Sequence, residues 1–467
     1  MSTLFTLIVF WTLTVQANAP EQVENVVSEG PTHSEAHQAG VALLHNKRPK
    51  MAVLEFERCI SEQQPDAIDC RWEMGWALWL QGDWDGVVTQ WTAVQDADPE
   101  RQGLKRYLAQ AKDNQGLKTL LAKGRNTAAP TYKSPVPPGT TVRLRAVGDL
   151  MIGTDFPDGY LPENHAKGIF ADVSDALRDA DFTFGNLEGP ICDTGKTEKC
   201  KPNAPAGSCY AFRSPSSLAP RYQESGFDVM STANNHGGDF GPACREETEA
   251  HLDKLNIAHT GRPGDIASIQ INGLKIAVIG FHTARSSHFL GDHETAAALV
   301  RALGTDHDLV LVSFHGGAEG RKALHVPIGK ETFYGEDRGN LREFTHTVID
   351  AGADLVIGHG PHVLRGAEVY NERLILYSLG NFATYGRFNL SGVTGIGAIV
   401  EVTMAADGTF VHGKIIPTKQ VDAGIPKMDD EGQGIDLIRM LSSEDFPSTG
   451  ISVAQDGSFA APSSPQP

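Results

Sequence analysis

After its N-terminal stretch the chain has no uncharged apolar run of eighteen residues, which excludes a multi-pass membrane protein. Positive charge is scarce: 40 Lys and Arg stand against 58 Asp and Glu, for a net charge of −18. That balance repels nucleic acid and anionic lipid, but leaves room for an anionic substrate held locally by a few arginines or a metal. Cysteine is scarce too, with six in 467 residues, and none has zinc-knuckle spacing. The gaps between Cys192, Cys200 and Cys209 hold seven and eight residues. Disulfides of an oxidising compartment are therefore expected. Cys59 and Cys70 lie close together, and Cys192, Cys200, Cys209 and Cys244 form a second group, with connectivity left open.

Leu4 to Val15 is apolar and uncharged, and is followed by small residues. Cleavage after Val15-Gln16-Ala17 avoids a proline just beyond the cut, so residues 1–17 read as a signal peptide. The expectation is an exported protein, periplasmic or extracellular, without a transmembrane span once the signal is removed. An uncleaved segment would instead anchor it to the membrane. With 40% apolar and 21% charged residues, the length allows two or three domains with a sizeable core.

Residues 33–122 read as helices with an internal repeat. Gly40, Ala52, Phe56 and Cys59 recur 35 residues later as Gly75, Val87, Trp91 and Val94, and Pro65 recurs as Pro99. The pattern resembles tetratricopeptide repeats, which implies stacked helix pairs and a surface on which a protein partner could dock. Trp72, Trp76, Trp79, Trp84 and Trp91 crowd into one repeat and read as core packing rather than a ligand surface. Residues 123–140, rich in Pro and Gly, read as a linker. From 141 to 425 strands and helices alternate, with a hairpin around Asn272-Gly273 and antiparallel strands late in the segment. Residues 426–467 read as an extension, with a loose tail from Ser442.

Chemistry concentrates where the strands stop. Five apolar strands run into Asp149, into Asn186-Leu187-Glu188, into Asn234-Asn235-His236, into His315-Gly316-Gly317 and into His359-Gly360-Pro361-His362. In α/β sheets, loops beyond the carboxyl ends of strands converge on ligands. Carboxylate and amide oxygens mixed with imidazoles suit Mn, Fe or Zn rather than Ca or a thiolate site.

Gly148-Asp149-Leu150-Met151, Asn186-Leu187-Glu188-Gly189-Pro190, Asn234-Asn235-His236 with Asp239, His315-Gly316-Gly317-Ala318-Glu319, Gly358-His359-Gly360-Pro361-His362 and Tyr377-Ser378-Leu379-Gly380-Asn381-Phe382 together resemble the CapA family. These are poly-γ-glutamate capsule biosynthesis proteins, a branch of the calcineurin-like metallophosphoesterase superfamily. The resemblance implies an α/β fold, a four-layer α/β/β/α sandwich, preceded here by the small all-α helical-repeat domain. It implies one or two divalent metal ions held by Asp149, Glu188, Asn235, His315, His359 and His362. It also implies His236 as general acid, with Asp239 holding its tautomer. Arg285, Arg321, Arg365 and Arg387 are candidates for binding an anionic polymer or a small anionic substrate. The superfamily's Asp-x-His is here Asp149-Leu150-Met151, and the last motif is one residue longer than Gly-His-x-His, so one metal position is expected to be weak or empty. The function implied is a metal-dependent hydrolase of a cell-envelope polymer. The alternative is a non-catalytic polymer-binding or export assembly factor.

Overall fold

The computed structural model describes residues 33–128, 134–157, 159–197, 199–200 and 209–462. The expected signal peptide at 1–17 lies outside them. Two compact units part at Lys112/Asp113.

The first unit is helical: α1 (Glu35–His45), α2 (Pro49–Ser61), α3 (Ala67–Trp79), α4 (Trp84–Ala97) and the start of α5 (Leu104–Arg125). Ser34 and Asp83 cap α1 and α4 by accepting from the N–H groups of His37 and Gly86, and Pro49 opens α2. The 35-residue recurrence has a steric basis. A Cβ on Gly40 would lie 2.4 Å from the Phe56 ring, and one on Gly75 1.9 Å from the Trp91 ring. Each glycine thus admits the large ring of the partner helix. The tryptophans pack on one another as expected: Trp91 is fully buried, 4.9 Å from Trp76 and 5.2 Å from Trp72 between ring centroids, and its Nε1 donates to Trp72 O. Gly75→Val should therefore destabilise this unit by about 1–3 kcal/mol through overpacking. Tryptophan fluorescence during denaturant unfolding reads this unit selectively.

The second unit is built on two sheets. In the first, β1 (Thr141–Met151), β2 (Phe182–Leu187) and β3 (Val229–Ser231) run parallel, and the antiparallel strands Ile396–Ala405 and Phe410–Val421 lie on the other side of β1. In the second, β4 (Leu274–His282), β5 (Leu309–His315) and β6 (Leu355–His359) run parallel. The hairpin expected at Asn272-Gly273 joins Ala267–Ile271 to β4, with φ of 52° and 82° at the turn residues, as a type I′ turn requires.

The order of layers follows from side-chain alternation. Leu309 and Leu311 of β5 join Val142, Leu144, Phe184, Ile276 and Ile357 between the sheets. Val310, Val312 and Phe314 point the other way, onto the helices His293–Leu303 and Leu341–Asp350 and onto Leu117, Leu120 and Leu121 of α5. The outer face of the first sheet carries Leu150, Leu187 and Met230 against Leu177, Tyr222 and Leu252, which lie on helices. The result is the expected α/β/β/α sandwich. A strand buried on both faces reads as a continuous apolar run, as β5 does.

The C-terminal reading is corrected. From Ser442 the chain is not loose: the helix Gln433–Asp445 runs through it, and Ser452–Val453 and Ser458–Ala460 extend the first sheet. Leu441, Phe446, Ile451 and Phe459 are buried, so short apolar anchors outweigh the polar composition. The proposed linker is partly structured as well. α5 continues to Arg125, and Ser134 hydrogen-bonds Asp308 through both its N–H and its hydroxyl.

Candidate metal centre

Asp149 owes its position to a bulge. Val142, Leu144 and Ala146 face the space between the sheets, whereas Leu150 faces the outer layer, and the β1–β2 register slips between Ala146 and Asp149. Gly148 makes this possible, since a Cβ there would lie 2.0 Å from the carbonyl oxygen of Gly380, to which the Asp149 N–H also donates at 2.9 Å. A polar chain then fixes the carboxylate. Asn234 donates to Asn186 Oδ1 at 3.1 Å, and Asn186 donates to Asp149 Oδ1 at 2.8 Å.

The second sheet contributes imidazoles in a row. His282, His315 and His359 are cross-strand neighbours at the carboxyl ends of β4, β5 and β6. His362 is carried by a sharp turn and adopts φ of 57°, a costly conformation for a residue other than glycine. Its Nδ1 lies 2.9 Å from Asp149 Oδ2 and 3.0 Å from Asn381 Oδ1, and its Nε2 lies 3.6 Å from Glu188 Oε1. His315 Nε2 is 3.4 Å from Glu188 Oε1, and His359 Nδ1 is 3.4 Å from Asp149 Oδ1. Ligand atoms of Asp149, Glu188 and His315 all lie within 4.8 Å of one another. The two sheets thus bring residues from distant parts of the sequence to one point.

The chemistry of this point fits a divalent cation. Both oxygens of Glu188, both ring nitrogens of His315 and of His359, and Oδ1 of Asn235 are buried without a hydrogen-bond partner among the described residues. Buried polar groups are otherwise almost always satisfied, and two buried carboxylates cost several kcal/mol each unless a charge compensates them. Burial raises Glu188 to about 8. His362 goes the other way: against the cost of burial, Glu188 and Asp149 pull it up to about 10. Against burial too, the imidazoles of His359 and His362 hold Asp149 well below the usual carboxylate range. A hard oxygen and imidazole set of this kind suits Mn, Fe or Zn.

His236 and Asp239 sit together beside it, with Nδ1 2.6 Å from Asp239 Oδ2. Phe212 lies against the imidazole, with ring centroids 4.2 Å apart, and Phe388 bridges Phe212 and His362. Burial lowers His236 to about 4, with Asp239 opposing, so the ring is neutral at pH 7.

The arginines divide. Arg365 is 1% exposed and is consumed by structure: Nη1 and Nη2 make a bidentate pair with Glu331 at 2.9 and 2.7 Å, Nε donates to Ala323 O, and Nη2 also reaches Ala318 O. The substrate role expected of it is therefore corrected to a scaffold role. A fork saturated by a buried carboxylate has nothing to offer a ligand. Arg321 is exposed and bonded to the carbonyl and hydroxyl of Ser391. Arg285 is exposed and stacks on Phe289, and Arg387 lies over Tyr160 and Tyr210. Glu319 pairs with Arg338 at 3.0 Å.

Sequence reasoning missed three residues. His282 is not among the candidates, although it ends a strand just as His315 does. Asn381 stands in one of the motifs but is given no role at the site, yet its Oδ1 lies 3.0 Å from His362 Nδ1. Lys199 carried no signal at all, because its relation to Asn235, His236 and Asp239 exists only in space.

The sequence profile described as "Bacterial capsule synthesis protein PGA_cap" matches residues 143–385. The capsule biosynthesis protein CapA of Bacillus anthracis is 28% identical over 252 residues, which cover 51% of this chain and 59% of that protein. The PGA biosynthesis protein CapA of Bacillus subtilis (strain 168) is 26% identical over 253 residues, covering 50% and 61%. A probable polyglutamine synthesis accessory protein of Mycobacterium tuberculosis is 27% identical over 180 residues, covering 33% and 44%. The chain thus matches less than two thirds of the length of each of these relatives. Among solved structures, a 5′-nucleotidase precursor from Thermus thermophilus aligns with a TM-score of 0.31 at 14% identity, over 66% of this chain and 60% of the other.

Proposed function

The chain belongs to the family of bacterial capsule synthesis proteins PGA_cap, and from that premise we propose that it is an exported, metal-dependent hydrolase acting on poly-γ-glutamate or a related anionic cell-envelope polymer. The observation that carries this reading is the set of buried ligand atoms on Glu188, His315 and His359, gathered around Asp149 and without a hydrogen-bond partner among the described residues. The names of the relatives supply the polymer. All six cysteines pair as disulfides, and no described helix is long and apolar enough to cross a membrane, both of which accord with export.

Asp149, Glu188, Asn235, His315, His359 and His362 would hold the ion or ions. A divalent ion there supplies Lewis-acid polarisation of a phosphoryl or carbonyl oxygen. The chain's own residues do the rest. Asn186 and Asn381 orient Asp149 and His362, and Phe212 packs against the His236 ring. With Nδ1 committed to Asp239, His236 handles protons at Nε2. Being neutral, it would take a proton there from the attacking water and return it to the leaving group.

The test measures metal content, then hydrolysis of bis-p-nitrophenyl phosphate and of γ-glutamyl-p-nitroanilide. His236→Ala should lower turnover by about 10²–10⁴-fold with metal content unchanged, the range typical of a positioned acid–base group. Stoichiometric metal with no turnover of either substrate class would favour the polymer-binding alternative, in which the helical unit docks a partner of an export complex.

A further inference from the structure

Lys199 stands beside Cys200, which is bonded to Cys209, and a second disulfide ties Cys192 to Cys244 in the helix Gly241–Lys254. Its Nζ donates to the carbonyl oxygen of Asn235 at 2.8 Å and to Asp239 Oδ1 at 2.6 Å, and lies 3.2 Å from His236 Nδ1. Asp239 is 3% exposed, and its other oxygen takes His236 Nδ1 at 2.6 Å and the Phe212 N–H at 2.8 Å. One buried carboxylate is therefore shared by an ammonium, an imidazole and an amide.

This arrangement has two consequences. A contact of 2.6 Å between an imidazole nitrogen and a carboxylate oxygen needs a proton between them, so His236 carries its hydrogen on Nδ1 as long as the carboxylate keeps this orientation. The ammonium on Oδ1 opposes rotation of that carboxylate. It also holds the main chain of Asn235, whose own Oδ1 is buried without a hydrogen-bond partner among the described residues and is a candidate ligand.

We infer that Lys199 is a positioning residue of the site: its ammonium fixes the Asp239 carboxylate that selects the His236 tautomer and the Asn235 carbonyl behind a candidate ligand, and the Cys200–Cys209 disulfide holds it in place. The inference rests on the hydrolytic reading only in treating His236 as the proton carrier. The side chain is 33% exposed, so its replacement leaves no cavity in the core.

The experiment uses the full chain as wild type, Lys199→Met, Lys199→Arg and the double variant Cys200→Ser/Cys209→Ser. Two readouts are taken: ¹⁵N imidazole shifts of His236 in the metal-free protein, assigned by loss of the signal in His236→Asn, and Mn²⁺ affinity by calorimetry. The wild type should show a single Nδ1–H tautomer. Lys199→Met should draw the two nitrogen shifts together and weaken Mn²⁺ about 10-fold, the effect of losing an outer-shell partner. Lys199→Arg should restore most of the tautomer pattern, and the cysteine variant should shift it in the direction of Lys199→Met. An unchanged ¹⁵N pattern with Mn²⁺ affinity within about twofold in Lys199→Met overturns the inference, and an unchanged pattern in the cysteine variant overturns the role of the disulfide. The tautomer readout needs no turnover, so a protein that hydrolyses nothing yet shows the shift retains the positioning role while the hydrolase reading fails.

Discussion

Asp149→Ala should abolish stoichiometric binding of a divalent metal and, with it, any hydrolytic turnover. Asp149 is a group that both sheets address: Asn186 from the first holds Oδ1, and His359 and His362 from the second approach the two oxygens. Its loss removes a charged candidate ligand and frees three partners at once. The affinity drop should therefore exceed that of Asn186→Ala, for which the loss of an orienting partner predicts about 10–100-fold. A thermal-shift series in Mn²⁺ checks this without an assay of activity. Binding to the folded state alone stabilises by about 2.7 kcal/mol at a hundredfold excess over Kd, so the wild-type Tm should climb with metal while that of Asp149→Ala stays flat. A variant that still climbs would place the ion elsewhere.

Arg365→Ala should instead unfold the domain. Its guanidinium is fully buried against Glu331, which is itself 5% exposed. Removing one partner strands the other charge in a low-dielectric interior, at a cost of about 3–5 kcal/mol. The loss spreads, because Glu331 also accepts from the Ala318 N–H, and Ala318 lies three residues beyond His315 in the loop that follows β5. Arg365→Lys should recover little, since an ammonium cannot reproduce the two parallel bonds of the fork. Denaturant unfolding reads the result. Retained stability with a raised KM for an anionic substrate would return Arg365 to the substrate-binding role that its place in the sequence first implied.

The two predictions separate what was legible in the residues from what was not. The strand-ending positions of Glu188, His315 and His359 could be read directly, because alternation and apolar runs mark a strand and a polar residue at its end marks a loop, whereas Asp149 lies inside β1, at a bulge that the pattern does not show. The helical recurrence could be read as well, since Gly40 with Phe56 and Gly75 with Trp91 are steric pairs that repeat at a constant interval. Arg365 could not. A conspicuous arginine near a motif looks the same in sequence whether it meets a substrate or a buried glutamate, and Glu331 is 34 residues away from it.

The sequence by itself marked strands, helices and the polar residues that interrupt them, since these depend on local periodicity and on where it is broken, while the four-layer architecture and the set of facing residues followed from the resemblance to the CapA family. Tertiary structure alone decided which of those residues are spent on scaffold and which remain unsatisfied. It alone brought Lys199 onto Asp239 and turned the apparent tail back into the first sheet. The physical reason is range: hydrophobic patterning acts between neighbours along the chain, whereas burial, ion pairing and orphaned donors depend on where the whole fold sends each side chain.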